Sequence, residues 1–222
     1  MNYDLIKDAL DLIQEFENQN LEKPKYANDV NGFKSWVINS FQKHFLAEEP
    51  YWEGKEKGRS PESVINTFIV HMNRYAKNYS KSAIHGSDFS TQEDFIYLIN
   101  LKAFGAMTKM ELIKKNVHEK PVGMQIINRL IQHKWIAQTD SETDKRSKVI
   151  HITQRGLKAL EKQMKKIRQA TQIVTGDLTH DEKMELIRLL NKLNEFHHSV
   201  YSKNLEPSEL LDVATEAINQ NK

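Results

Sequence analysis

Three cations, Lys145, Arg146 and Lys148, crowd the turn DSETDKRSK that runs from Asp140 to Lys148. Upstream, the segment PVGMQIINRLIQHK carries Gln125 and Arg129, with Lys120 just ahead of it. These residue types bind rather than make bonds. Gln pairs bidentately with adenine, Arg does so with guanine, Val or Met can touch a thymine methyl, and Lys and Arg neutralise phosphates. A cationic hairpin with Lys145, Arg146, Ser147 and Lys148 near its tip can lie over phosphates, and one Arg can enter a narrow minor groove. Asp144, two residues before Arg146, can hold that guanidinium by a fork-like pair. The same turn taken alone is also an ordinary solvated charged loop, so the elements around it decide the reading.

Those elements follow from periodicity and from helix-start chemistry. Residues 108–134 read as two helices joined by the tight turn Val117-His118-Glu119-Lys120. The second helix keeps Ile126, Ile127, Leu130 and Ile131 for a core and leaves Lys120, Val122, Met124, Gln125 and Arg129 on the other side. Gly123 has two readings: a gap that lets the backbone approach a duplex, or a tolerated surface glycine near a helix start. Strands are expected at Trp135–Gln138 and Lys148–Ile152, and a helix opens at Thr153. Helix, turn, helix, strand, charged turn, strand and helix is the order of a winged helix-turn-helix, whose second helix presents its N-terminal residues to base edges.

Helix starts are marked elsewhere too. Ser90-Thr-Gln-Glu93, Thr108-Lys-Met-Glu111 and Thr179-His-Asp-Glu182 are capping boxes, and Ser60-Pro61 places proline at a first helical position. Helices are expected over 5–16, 33–45, 61–83, 91–104, 109–116, 121–134, 154–173 and 180–201, with a short terminal one from Pro207. Residues 49–59 read as a loop. The expected fold is mainly α: a winged helix-turn-helix with a small two- to three-stranded β wing, a helical dimerisation region and extra N-terminal helices. Residues 1–59 form the N-terminal extension, 60–90 and 154–205 the dimerisation region, 91–153 the DNA-binding domain, and 206–222 a C-terminal helix.

Composition narrows the function classes. The chain has 222 residues, 39% of them apolar and 28% charged, and no cysteine. Thiolate zinc sites, disulfides and cysteine redox sensing are excluded, and a reducing cytoplasm is the expected compartment. No apolar run approaches the roughly 20 residues needed to cross a bilayer. The formal net charge of +2 hides an asymmetry. Residues 1–60 hold 8 Lys/Arg and 11 Asp/Glu, whereas residues 109–149 hold 9 and 5, so positive charge gathers at the winged segment.

The same segment resembles the multiple-antibiotic-resistance-regulator (MarR) family. Asp144-Lys-Arg146-Ser147 matches the family's Asp-x-Arg wing tip, Ile152-Thr153-Gln-Arg-Gly156 its Leu-Thr-x-x-Gly, and Asn128-Arg129-Leu130 its Asp-Arg-Leu. The resemblance spans about residues 61–202. Lys134 stands where the family has Gly and Gln138 where it often has Arg, which removes one phosphate contact. The resemblance implies a homodimer that reads a pseudo-palindromic operator in double-stranded DNA as a transcriptional regulator, a repressor first. It also implies a small-molecule effector between the dimerisation helices and the DNA-binding lobe. His71, Tyr75, Tyr79 and Tyr97 are the candidates for that pocket, against the plainer reading of an amphipathic core edge.

Other classes fit less well. A Gly-rich phosphate loop, a nucleophile elbow and a catalytic cysteine are all missing, so no enzyme is expected. No cofactor is called for. The nine histidines show no metal-ligand spacing; His197 and His198 point to different faces, and His118 and His133 read as phosphate-facing or surface residues. The competing reading is a helical protein-interaction adaptor whose winged domain binds DNA weakly or not at all.

Overall fold

The computed structural model describes residues 3–22, 24–45, 49–140 and 148–220. Two compact units divide near residue 65. In the first, α1 (Tyr3–Glu22) and α2 (Val30–Phe45) pack together around aromatic rings. Phe16 lies 5.5 Å from Phe33 and 5.6 Å from Trp36, centroid to centroid, within the range where ring quadrupoles favour tilted contacts. The Trp36 indole N–H donates to Gln19 Oε1 at 3.0 Å, so its one polar atom is satisfied inside the packing. A Cβ on Gly32 would fall 1.7 Å from the carbonyl oxygen of Ala27, which explains glycine there. Of the stripe predicted on α1, Phe16 is buried and Leu12 half-buried, while Leu5 and Ile13 remain exposed.

The predicted loop 49–59 is ordered by its own side chains. A 3₁₀ turn at Lys55–Lys57 is framed by Gly54 (φ 86°) and Gly58 (φ 80°), a left-handed conformation that costs glycine nothing. The Trp52 indole donates to the Arg59 carbonyl at 2.8 Å, and Lys55 Nζ sits 4.4 Å from the Trp52 ring centroid.

The second unit contains α3 (Pro61–Ile84) in its greater part, then α4 (Gln92–Phe104), β1 (Met107–Thr108), α5 (Lys109–Lys115), α6 (Lys120–Gln132), β2 (Ile136–Asp140), β3 (Lys148–Ile152), α7 (Gln154–Val174), α8 (His180–Tyr201) and α9 (Pro207–Gln220). The strands form one antiparallel sheet in the order β1-β3-β2, with Ile136 opposite Ile152 and Met107 opposite Ile150. The core lies where α4, α5, α6 and α7 meet this sheet: Leu98, Leu101, Leu112, Ile113, Ile127, Leu130, Ile136, Ile150 and Leu160 are fully buried. β1 escapes a sequence reading because two residues carry no periodicity; pairing with β3 alone makes it a strand.

Local chemistry sets the helix ends. Thr108 accepts from the Glu111 amide at 3.2 Å while Glu111 accepts from the Thr108 amide at 2.7 Å, and Thr179 and Glu182 repeat the arrangement. The third predicted box is shifted by one residue. Thr91, not Ser90, caps α4, and the carboxylate that reaches back is that of Asp94, which accepts the Ser90 and Thr91 amides at 2.8 and 3.1 Å. Among the described residues no helix is long and apolar enough to cross a membrane.

Candidate nucleic-acid interface

Helix α6 has two faces with different duties. Gly123, Ile126, Ile127 and Leu130 are buried, and Met124 and Ile131 pack against the same core. Lys120, Val122, Gln125 and Asn128 are exposed. The last three recur every third position and so form one outward row. Asn128 belongs to this row although its chemistry was read only as part of a motif; its spacing from Gln125 was the available signal. Met124 is half-buried on the core, which withdraws it from the role of a thymine-methyl contact.

Gly123 and Arg129 prove to have structural duties. A Cβ on Gly123 would meet Ile113 Cγ1 at 2.4 Å, so the missing side chain serves the crossing of α5 and α6, not the approach of a duplex. Neither reading offered by the sequence holds, because the position is buried. The Arg129 guanidinium turns inward to Asp94: Nε and Nη2 donate to Asp94 Oδ1 at 2.8 and 2.5 Å, and Nη2 also donates to Thr91 Oγ1 at 3.2 Å. Asp94 is 1% exposed and lies on α4. The pair pins the second half of α6 to the first turn of α4. An arginine so engaged is not free to fork onto guanine.

At the wing, Lys148 pairs with Asp140 across the β2–β3 register, an ion pair at the base of the hairpin. Asp144, Lys145, Arg146 and Ser147 lie outside the described residues. Lys134, in the place of the family's glycine, has φ 59°, so the position asks for a left-handed residue and lysine adopts it at a cost. The Thr153-x-x-Gly156 motif is equally physical. Thr153 Oγ1 donates to the Lys134 carbonyl at 2.8 Å and accepts the Gly156 amide at 3.1 Å, and a Cβ on Gly156 would stand 2.2 Å from the Trp135 carbonyl oxygen. That motif docks the start of α7 on the start of β2.

His118 and His133, expected to face phosphates or the surface, are half-buried against protein groups. His133 stacks on Trp135 at 4.4 Å. His118, in the turn before α6, shares a hydrogen bond with the Tyr97 hydroxyl at 2.9 Å.

The four candidate effector residues do not gather in one cavity. The His71 and Tyr75 rings are 6.4 Å apart on the exposed side of α3, Tyr79 is exposed on the same helix, and Tyr97 is fully buried. Burial first, and then the nearby Glu93 carboxylate and Tyr201, push the Tyr97 phenol above its ordinary range, so it stays neutral. A different concavity is present between α4 and α7. It is an open groove of about 910 Å³ lined by Lys102, Glu161, Met164, Lys165, Arg168 and Gln169, with Gln172 at one end. Its cations outnumber its single carboxylate, and the spacing of Lys165, Arg168, Gln169 and Gln172 on one helix was the signal for it.

Comparison with known proteins agrees with this fold. Residues 87–147 match the model of the MarR family. No curated protein matches the chain. The fold is similar to that of BpsR from Bordetella bronchiseptica, whose DNA binding is regulated by 6-hydroxynicotinic acid: TM-score 0.55 and 20% identity over 66% of this chain and 98% of that one. A mutant MarR from E. coli complexed with operator DNA gives a TM-score of 0.54 and 22% identity over 58% and 92%. The organohalide-sensing regulator RdhR, bound to 2,4-dichlorophenol, gives 0.57 and 18% over 69% and 89%. The chain thus has the fold of these MarR-family structures, and residues 87–147, its winged helix-turn-helix segment, match the family's model.

Proposed function

We propose that the protein is a homodimeric, sequence-specific DNA-binding regulator that represses transcription from a pseudo-palindromic operator. The observation that carries this reading is the division of α6 into a buried aliphatic face and an exposed row of Val122, Gln125 and Asn128 headed by Lys120. Such a row offers amide and apolar groups to base edges while the first turn supplies a cation for phosphate. The wing residues Asp144, Lys145, Arg146, Ser147 and Lys148 are the proposed second contact. In this reading residues 91–153 bind DNA, and 60–90 with 154–205 make the dimer.

Support for the dimer comes from apolar surface. Met184, Leu186, Ile187, Leu189, Leu190 and Leu193 on α8 are exposed, as are Phe68, Ile69 and Met72 on α3. Burying each large aliphatic side chain is worth about 1.5–3 kcal/mol, so covering these rows favours association strongly. A two-fold pair would place two α6 helices on half-sites about one helical turn apart.

The α4–α7 groove is the proposed effector site, and its Lys102, Lys165 and Arg168 favour an anionic small molecule. An effector releases DNA only if it binds the two conformations with different affinity. Selection of bound sequences from a random duplex pool, followed by titration at two salt concentrations, tests the reading. A pseudo-palindrome with steep salt dependence and a two-fold mass in sedimentation is the expected result. Recovery of no preferred sequence would transfer the weight to a protein-interaction adaptor. Release of the selected duplex by an aromatic carboxylate, with loss of that release in Arg168→Ala, is the expected behaviour of the groove.

A further inference from the structure

The turn between α5 and α6 is held in a conformation its own residues disfavour. Val117 has φ 53°, and a β-branched side chain in the left-handed region is a steric outlier. Such a residue persists when its surroundings fix it. Here the surroundings are two other helices. From α4, Asn100 Nδ2 donates to Asn116 Oδ1 at 2.8 Å, the Tyr97 hydroxyl meets His118 Nδ1 at 2.9 Å, and Glu93 Oε2 lies 3.7 Å from His118 Nε2. From α8, the Tyr201 hydroxyl donates to the His118 carbonyl oxygen at 2.9 Å. The next residue, Glu119, is the N-cap of α6, and its carbonyl accepts the Gly123 amide at 3.0 Å in the first helical bond. Tyr201 therefore grips the backbone one residue ahead of the N-cap of the helix that carries Lys120, Val122 and Gln125.

Helix α8 is the element with the long exposed apolar row, and Tyr201 is its last residue. A helix of 22 residues moves as a rod of about 33 Å, so a shift along its length reaches its end undiminished. A hydroxyl-to-carbonyl bond is lost once its heavy atoms part beyond about 3.5 Å. We propose that Tyr201 is a positioning residue for the DNA-reading helix: its hydroxyl, acting through the His118 carbonyl, couples the placement of α8 to the first turn of α6. The inference rests on the DNA-binding reading and adds to it a named path from the dimerisation helix to the reading surface.

The full-length Tyr201→Phe protein tests it, because only one oxygen is removed and the ring stays. Amide hydrogen exchange of residues 116–123 is expected to quicken about five-fold, the equivalent of one net hydrogen bond. Affinity for the selected duplex is expected to fall by about the same factor, with the salt slope and the dimer unchanged and the melting temperature lowered by no more than about 4 °C, which is what one hydrogen bond is worth. Lys120→Ala is the contrast: it should lower the salt slope by about one and leave exchange as it is. Unchanged exchange in Tyr201→Phe overturns the proposal, and so does a loss of affinity accompanied by a larger fall in melting temperature and by faster exchange throughout the fold. Faster exchange in a protein whose wild type prefers no duplex sequence would sustain the clamp while overturning the DNA-binding reading.

Discussion

Asp94 and Arg129 are joined by a forked contact, in which Oδ1 of the buried aspartate receives both Nε and Nη2 of the arginine. The same carboxylate caps α4 through the Ser90 and Thr91 amides. Removing Arg129 leaves a buried charge with only its amide partners. Arg129→Ala should cost about 3 kcal/mol of folding stability, the low end for a broken buried pair because those amides remain. It should weaken binding to all duplexes alike. A base-reading arginine would instead relax preference at one position, and selection with the variant distinguishes the two.

Two glycines are fixed by close approach. Gly123→Ala must displace Ile113 side-chain atoms, and a cost of about 1–3 kcal/mol is expected. Gly156→Ala meets the Trp135 backbone, which yields less, so its cost should be the larger of the two. Urea denaturation of both variants gives the ordering; equal midpoints would contradict the packing described.

Lys134 holds a left-handed conformation at the end of α6. Lys134→Gly should stabilise the fold by about 1 kcal/mol, since glycine adopts φ near 59° without a Cβ penalty. A rise in melting temperature is the check. A fall would mean that the lysine side chain makes a contribution larger than the backbone strain.

The capping boxes make acid sensitivity local. The Thr108 amide, then its hydroxyl, holds the Glu111 carboxyl below the usual carboxylate range, and Thr179 does the same to Glu182. A carboxylate whose folded value is depressed stabilises the fold above its unfolded value, near 4.3, and that contribution is lost as pH falls through the folded value. Between about pH 5 and 3, Glu111→Gln and Glu182→Gln should therefore lose stability less steeply than the wild type. Melting temperatures across that window decide it.

How much of this was legible from sequence depended on the range of the forces involved. Thr108 and Thr179 announced their helices because a cap and its acid lie within one turn, and Thr153 and Pro61 did so because a hydroxyl cap and a first-turn proline are equally local signals. The box at Ser90 was misplaced by one residue since Glu93 and Asp94 are adjacent acids, and only Arg129, far along the chain, selects between them. Arg129 reads as a DNA contact, and Gly123 as either a duplex approach or a surface glycine, for the same reason: their types suit an exposed helix face, while the partners that claim them, Ile113 and Asp94, sit on other helices. The basic groove beside α7 was missed because Lys102 reaches it from α4.

With Arg129 withdrawn, the outward row of α6 is left with two carboxamides and a valine. Carboxamides pair best with adenine, and valine packs against thymine methyls, so the proposed reading by Val122, Gln125 and Asn128 predicts a half-site biased toward A·T pairs. Three side chains distinguish about three base pairs, each worth about 1–3 kcal/mol against a wrong base. A word that short recurs by chance throughout any genome. In the proposed dimer, two copies held at a fixed spacing double its length, which would make the apolar row on α8 an element of sequence information as much as of adhesion.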